Sequence, residues 1–138
     1  MKILELLTSK RKTGNFGEKQ AVRFLKKNGY KILKQNYVAN GHEIDIIAED
    51  KNYLVFAEVK TRTSGSKSIF EARPASSVTP DKQRKIISAS KAYINFVKTS
   101  KQIRFDIIEV IISKDNDVES ISHLVGAFNS DTAYKRSK

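Results

Sequence analysis

Residues 43–61 read Glu43-Ile44-Asp45-Ile46-Ile47-Ala48-Glu49-Asp50-Lys51-Asn52-Tyr53-Leu54-Val55-Phe56-Ala57-Glu58-Val59-Lys60-Thr61, which is two strands and the turn between them. Over Glu43–Ala48 the side chains alternate: Ile44, Ile46 and Ala48 share one face, and Glu43, Asp45 and Ile47 the other. Glu49-Asp50-Lys51-Asn52 is a polar turn, and Tyr53–Thr61 forms the next strand. An antiparallel pair about that turn joins residues whose numbers sum to roughly 101, placing residue 45 opposite 56 and 43 opposite 58. Asp45 and Glu58 are then diagonal neighbours, with Cα atoms about 7–8 Å apart. Glu58 and Lys60 leave the face that Leu54 and Phe56 occupy, so an acid and an ammonium end a row that otherwise belongs in a core.

The flanking sequence supplies the layers around this hairpin. Asn15-Phe16-Gly17-Glu18 has the form of a capping box, with Asn15 as N-cap of a helix that buries Ala21, Val22 and Leu25 and stops at Asn28-Gly29. A strand over Tyr30–Tyr37 turns at Ala39-Asn40-Gly41 and completes an antiparallel meander of three. Residues 62–78 are small, polar and irregular, as expected of a long loop. Thr79-Pro80 opens a second helix with the apolar stripe Ile86, Ile87, Ala89, Tyr93, Ile94 and Val97 and the polar start Lys82-Gln83-Arg84-Lys85. Ile103–Ile112 has almost no polar face, the mark of a strand covered on both sides. Val118–Ser122 and Leu124–Phe128 form a hairpin return, and Asn129–Lys138 reads as frayed. The expected class is α/β (α+β): a single domain over residues 14–128, with a mixed central sheet flanked by helices. Residues 1–13 are a basic extension and 129–138 a basic tail.

A chain of 138 residues supports one sizeable core. With no cysteine, disulfides and thiolate metal sites are excluded. The apolar start Ile3-Leu4 is interrupted by Glu5 and followed, not preceded, by Lys10-Arg11-Lys12, unlike a secretory signal. No apolar run approaches membrane-span length. A cytoplasmic protein without membrane contact is therefore expected. Its net charge of +11 suits a polyanionic partner, since Lys and Arg displace counterions from phosphates. Residues 1–12 hold a net +3 and Lys135, Arg136 and Lys138 add another +3, which leaves +5 for the rest.

Carboxylates gathered at a half-buried site must be protonated, paired or bound to a cation. Oxygen ligands suit a hard ion, Mg²⁺ or Mn²⁺, which binds phosphate and activates water. Lys60 is placed to orient that water or to neutralise charge building on phosphorus. Each residue also has an ordinary reading. Glu58-Val59-Lys60 alone reads as a surface ion pair; Glu18 belongs to the capping box; His42 is a turn residue; His123 is structural; Tyr93 is core.

Together, Glu18 on the first helix, Glu43-Ile44-Asp45 in the second strand and Glu58-Val59-Lys60 in the third resemble the PD-(D/E)xK nucleases, with Ile44-Asp45 in place of Pro-Asp. More closely, the chain resembles the YraN-like family of restriction-endonuclease-fold proteins. The matching stretches are Gly17-Glu18, Asn36-Tyr37, Glu43–Ala48, Leu54–Arg62, Val78–Gln83, Arg104–Ile107 and Ala127-Phe128. His42, where that family usually has Gly, and the blurred turn between Arg62 and Val78 depart from its pattern. The resemblance implies a core of helix, three-stranded meander, helix and strand. It implies Asp45 and Glu58 as metal ligands with Glu43 a further candidate, Lys60 as catalytic lysine, and Glu18 as a ligand or water-shell partner like the helix carboxylate of archaeal Holliday-junction resolvases. Arg62, Lys82, Gln83 and Arg84 would line a phosphate track. The activity implied is Mg²⁺- or Mn²⁺-dependent hydrolysis of DNA, branched or flapped substrates included, with a homodimer as one way to cut both strands. The alternatives are a nucleic-acid-binding module without catalysis and an interaction subunit of a repair or recombination complex.

Overall fold

The computed structural model describes residues 3–64 and 78–134, with side chains from residue 14 onward. Its first helix, α1 (Ile3–Lys27), is followed by β1 (Lys31–Ala39), β2 (His42–Glu49), β3 (Tyr53–Thr63), α2 (Pro80–Val97), β4 (Gln102–Ile112), β5 (Val118–Phe128) and a short α3 (Ser130–Ala133). The five strands form one sheet in the order β1-β2-β3-β4-β5; only β3 and β4 run parallel, and every other pair is antiparallel. Residues 65–77 of the expected loop, Lys2 in the N-terminal extension and Lys135, Arg136 and Lys138 of the tail lie outside the described residues. No helix among the described residues is long and apolar enough to cross a membrane.

Each helix covers one face of the sheet. α1 sets Ala21, Val22 and Leu25 against Ile46, Ala48, Ala57, Val59, Ile108 and Val110. α2 sets Ile86, Ile87, Ala89 and Tyr93 against Ile44, Ile47, Leu54, Phe56, Phe105 and Ile107. Phe56, Phe105 and Phe128 stack in sequence, with ring centroids 5.6 and 5.2 Å apart, so β3, β4 and the end of β5 share one aromatic seam. Burial from both sides explains why β4 is so uniformly apolar.

The expected caps of two elements are present. Tyr30 donates to the Leu25 carbonyl and Gly29 to that of Lys26, with Gly29 at φ 88°, the paired bonds of a Schellman ending. Thr79 accepts from the Lys82 amide at 3.2 Å, and Pro80 occupies the first turn of α2.

Other expectations are corrected. α1 starts at Ile3, not after Asn15, because Leu, Glu, Lys and Arg favour the helix and adding turns to an existing helix costs little. Asn129 does not begin a frayed tail; it caps α3 in a reciprocal capping box with Thr132. β3 continues to Thr63, so Arg62 belongs to a strand rather than a loop. The two short C-terminal segments form one strand, β5.

The most consequential correction concerns the β2–β3 register. Ile46 pairs with Ala57, Ile47 with Phe56 and Glu49 with Leu54. Asp50 causes this: its Oδ1 accepts the amides of Asn52 (2.9 Å) and Tyr53 (2.8 Å), closing the turn tightly over Lys51-Asn52. Continued one step, that register sets Asp45 directly across from Glu58 instead of diagonal to it. The clean alternation of β2 also fails at Asp45, since Ile44 packs beneath α2 whereas Ile46 packs beneath α1.

Candidate active site

Pairing between β2 and β3 ends at Ile46↔Ala57, and at the next position the strands exchange a different bond. The Val59 amide donates to Asp45 Oδ2 at 2.8 Å, so a carboxylate takes a hydrogen bond that a regular ladder would give to backbone. Glu58 comes from the adjacent position of β3 and is buried. Burial pushes its carboxyl up to about 7, the Asp45 charge adds to the rise, and Lys82 and Lys60 oppose it. Asp45 is also raised, by burial first and then by Glu43, against the Val59 hydrogen bond and the two lysines. Two carboxylates thus share a low-dielectric corner with too few donors to satisfy both as anions.

The lysines approach from different elements. Lys60 Nζ lies 3.5 Å from Glu58 Oε1 and is partly exposed. Lys82 stands in the first turn of α2, and its charge acts on both Asp45 and Glu58. One cation on the strand and one on the facing helix therefore flank the pair.

Glu18 reaches the same corner from α1. A close approach makes this possible, because at Gly17 a Cβ would overlap the Thr61 side chain, so the helix can lie on β3 only where no side chain intervenes. Burial raises the Glu18 carboxyl, and the charges of Asp45 and Glu43 raise it further. Four carboxylates, Glu18, Glu43, Asp45 and Glu58, thereby interact in one region. Among the described residues, however, no three Asp, Glu or His side chains converge closely enough to enclose a metal ion. The donor set still fits a hard divalent cation, because Mg²⁺ commonly keeps several waters and takes only one or two carboxylates. Asp45 and Glu58 are the pair that would hold it.

The other residues singled out by sequence have different settings. Arg62 Nε is 3.6 Å from the buried Glu109 Oε2. Gln83 is buried, donating to the Val78 carbonyl at 2.9 Å and accepting from Thr132 Oγ1 at 3.0 Å. Arg84 donates to the Ala133 carbonyl at 2.8 Å and pairs with Asp81. Gln83 and Arg84 thus fasten α2 to α3, and of the four residues proposed for a phosphate track it is Lys82 that acts on the carboxylates. His123 is structural, its Nε2 2.6 Å from Asp106 Oδ2. Tyr93 is core, edge-on to Tyr37 and Phe56.

Sequence reasoning assigned no role to Asn36 or Asp106. Asn36, with its amide nitrogen turned to the acids, donates to Glu18 Oε2 at 3.0 Å and Glu43 Oε1 at 2.9 Å. Asp106 is fully buried and accepts from Arg104, His123 and the Gly126 amide. An acid amid the apolar run of β4 was the available signal.

A five-stranded mixed sheet with a helix on each face, with Asp45, Glu58 and Lys60 at the open end of its central hairpin, defines an α+β protein with a restriction-endonuclease-like core. The model of the uncharacterised protein family UPF0102 matches residues 17–110, and the chain belongs to that family. A UPF0102 protein of Caldanaerobacter subterraneus subsp. tengcongensis is 42% identical over 124 residues, 87% of this chain and 97% of the relative. That of Caldicellulosiruptor saccharolyticus is 39% identical over 121 residues, covering 87% and 99%. One from Chlorobium phaeobacteroides reaches 46% over 99 residues, covering 71% and 75%. The resemblance to the YraN-like family is thereby borne out.

Proposed function

We propose that this protein is a divalent-metal-dependent phosphodiesterase acting on DNA, with Asp45 and Glu58 holding Mg²⁺ or Mn²⁺. The observation that carries this reading is the pair of half-buried Asp45 and buried Glu58, both carboxyls raised, flanked by Lys60 and Lys82. A pair held in this state binds a cation in preference to remaining apart as two anions. The ion would supply Lewis-acid polarisation of a phosphate and a water of lowered pKa. Lys60, at the rim and partly exposed, is set to orient that water and to balance charge growing on the phosphoryl oxygens. Lys82 supplies a second positive charge from the opposite layer, suited to hold a non-bridging phosphate oxygen. Asp45 is kept in one orientation by the Val59 amide, so its second oxygen stays available.

Cleavage of branched, flapped and linear DNA with Mg²⁺ or Mn²⁺ tests the reading on wild type, Asp45→Ala and Lys60→Ala. Metal-dependent cutting is expected from wild type, with losses on the order of 10²-fold or more in the variants. Binding that is steeply salt-dependent, indifferent to Asp45→Ala and unaccompanied by cutting would instead identify a non-catalytic binding module. The absence of a closed three-carboxylate cage among the described residues is what favours that second reading.

A further inference from the structure

β1 is an edge strand, yet it sends one residue into the site. Its pairing with β2 runs through Lys34↔Ile47 and Gln35↔Ile46 and resumes at Tyr37↔Ile44, leaving Asn36 across from Asp45 outside the ladder. Asn36 has φ 52°, in the left-handed region that Asn tolerates better than other side-chain-bearing residues. A left-handed residue inside a strand costs free energy and persists only where its surroundings hold it.

Those surroundings are two carboxylates. One amide hydrogen is available for each, at 3.0 Å to Glu18 and 2.9 Å to Glu43. Glu18 belongs to α1 and Glu43 to β2, so these like charges come together from different elements and would separate without a shared donor. Glu43 is solvent-exposed and Glu18 half-buried, so neither is fixed by packing alone.

We propose that Asn36 is a positioning residue of the active site, its amide tying Glu18 to Glu43 so that both carboxylates stand beside Asp45 and support the bound divalent cation. The inference rests on the metal-dependent reading above. It assigns the edge strand a role in the site and makes Glu18 and Glu43 one unit. Partners that orient ligands in this way typically contribute about 10–100-fold to metal affinity.

Asn36→Gly separates the amide from the backbone, because Gly keeps the left-handed conformation without strain. Mn²⁺ affinity is measured by calorimetry on the full chain, together with the thermal midpoint, for wild type, Asn36→Gly and Asn40→Gly. Asn40 is also left-handed, at φ 55°, but bonds to Ser88 away from the carboxylates, so it controls for relaxed backbone. The expected result is a weakening of about tenfold or more for Asn36→Gly, an unchanged thermal midpoint, and wild-type affinity for Asn40→Gly. In a Glu18→Gln/Glu43→Gln background the same Asn36→Gly change should have little further effect. Should wild type bind Mn²⁺ and Asn36→Gly bind it equally well, the positioning role falls while the metal site stands. Additive losses in the Gln background would also overturn it. If wild type takes up no Mn²⁺, with or without a DNA duplex, the metal-dependent reading fails and this inference fails with it.

Discussion

Asp106 and Glu58 are buried carboxylates on adjacent central strands, treated in opposite ways. Asp106 accepts from Arg104 Nε (2.9 Å to Oδ1) and the second Arg104 nitrogen (2.8 Å to Oδ2), from the Gly126 amide (2.9 Å), and bonds His123 Nε2 (2.6 Å). Burial works against its charge, but these partners outweigh it and hold the carboxyl below the usual carboxylate range. Arg104 is fixed in turn by the Tyr30 hydroxyl at 2.6 Å and lies over the Tyr30 and Tyr53 rings. Glu58 has Lys60 at 3.5 Å, and its carboxyl is pushed up to about 7. The Asp106 cage devotes its polar groups to its own cohesion. One position along the neighbouring strand, Glu58 is given fewer donors, and its carboxyl stays raised.

The largest break in this contrast should come from Asp106→Ala. It leaves the Arg104 guanidinium, with a side chain only 12% exposed, without its partner. A loss of about 3–5 kcal/mol in urea unfolding is expected, and a loss below about 1 kcal/mol would show that the cage is not a support. Glu58→Gln should act in the opposite sense. Glu58 has a folded value of about 7, above the unfolded value of about 4.3, so its ionisation favours the unfolded chain. The cost is absent below pH ~4, grows between about 4 and 7, and reaches roughly 4 kcal/mol above that window. Unfolding curves at pH 4, 6 and 8 should therefore show the Gln variant equal to wild type at the lowest pH and more stable at the highest. Asp106, held low, contributes stability that is lost only as pH falls through the acid end of the carboxylate range. Gly17→Ala should have the smallest effect, about 1–2 kcal/mol from overpacking against Thr61. Thr61→Ala should recover part of it in the double variant, and equal stability of Gly17→Ala and wild type would show that α1 is free to lift.

Periodicity and turn chemistry made the sheet legible in advance: the meander, the capped second helix and the doubly covered β4 follow from alternation, Thr79-Pro80 and an apolar run. The register was harder to read, because it depends on which backbone amides the Asp50 side chain accepts, and a polar turn of four residues does not disclose that. The residues Asp45, Glu58, Lys60 and Glu18 could be named from spacing and resemblance. The tie between Glu18 and Glu43 could not, since it depends on a left-handed Asn36 inside an edge strand. Gln83 looked like a surface residue beside Lys82, but α3, which anchors it, was invisible while Asn129–Lys138 read as frayed. The Asp106 cage joins residues 30, 104, 106, 123 and 126, and no local pattern spans that distance.

The parallel pairing of β3 with β4 also bears on the order in which these regions can assemble. Tyr53 meets Gln102 and Thr63 meets Ile112, partners forty-nine residues apart, whereas Asp45 and Glu58 sit on one hairpin with a two-residue turn. Closing the long loop costs entropy before any contact returns it, while a hairpin can form within microseconds. The carboxylate pair can therefore exist on a half-built sheet, whereas the Asp106 cage must wait until β4 and β5 have docked. In a pulse-labelling hydrogen-exchange experiment, amides of the β2–β3 turn would gain protection first and Gly126 among the last, so the proposed metal pair would be in place before the sheet is complete.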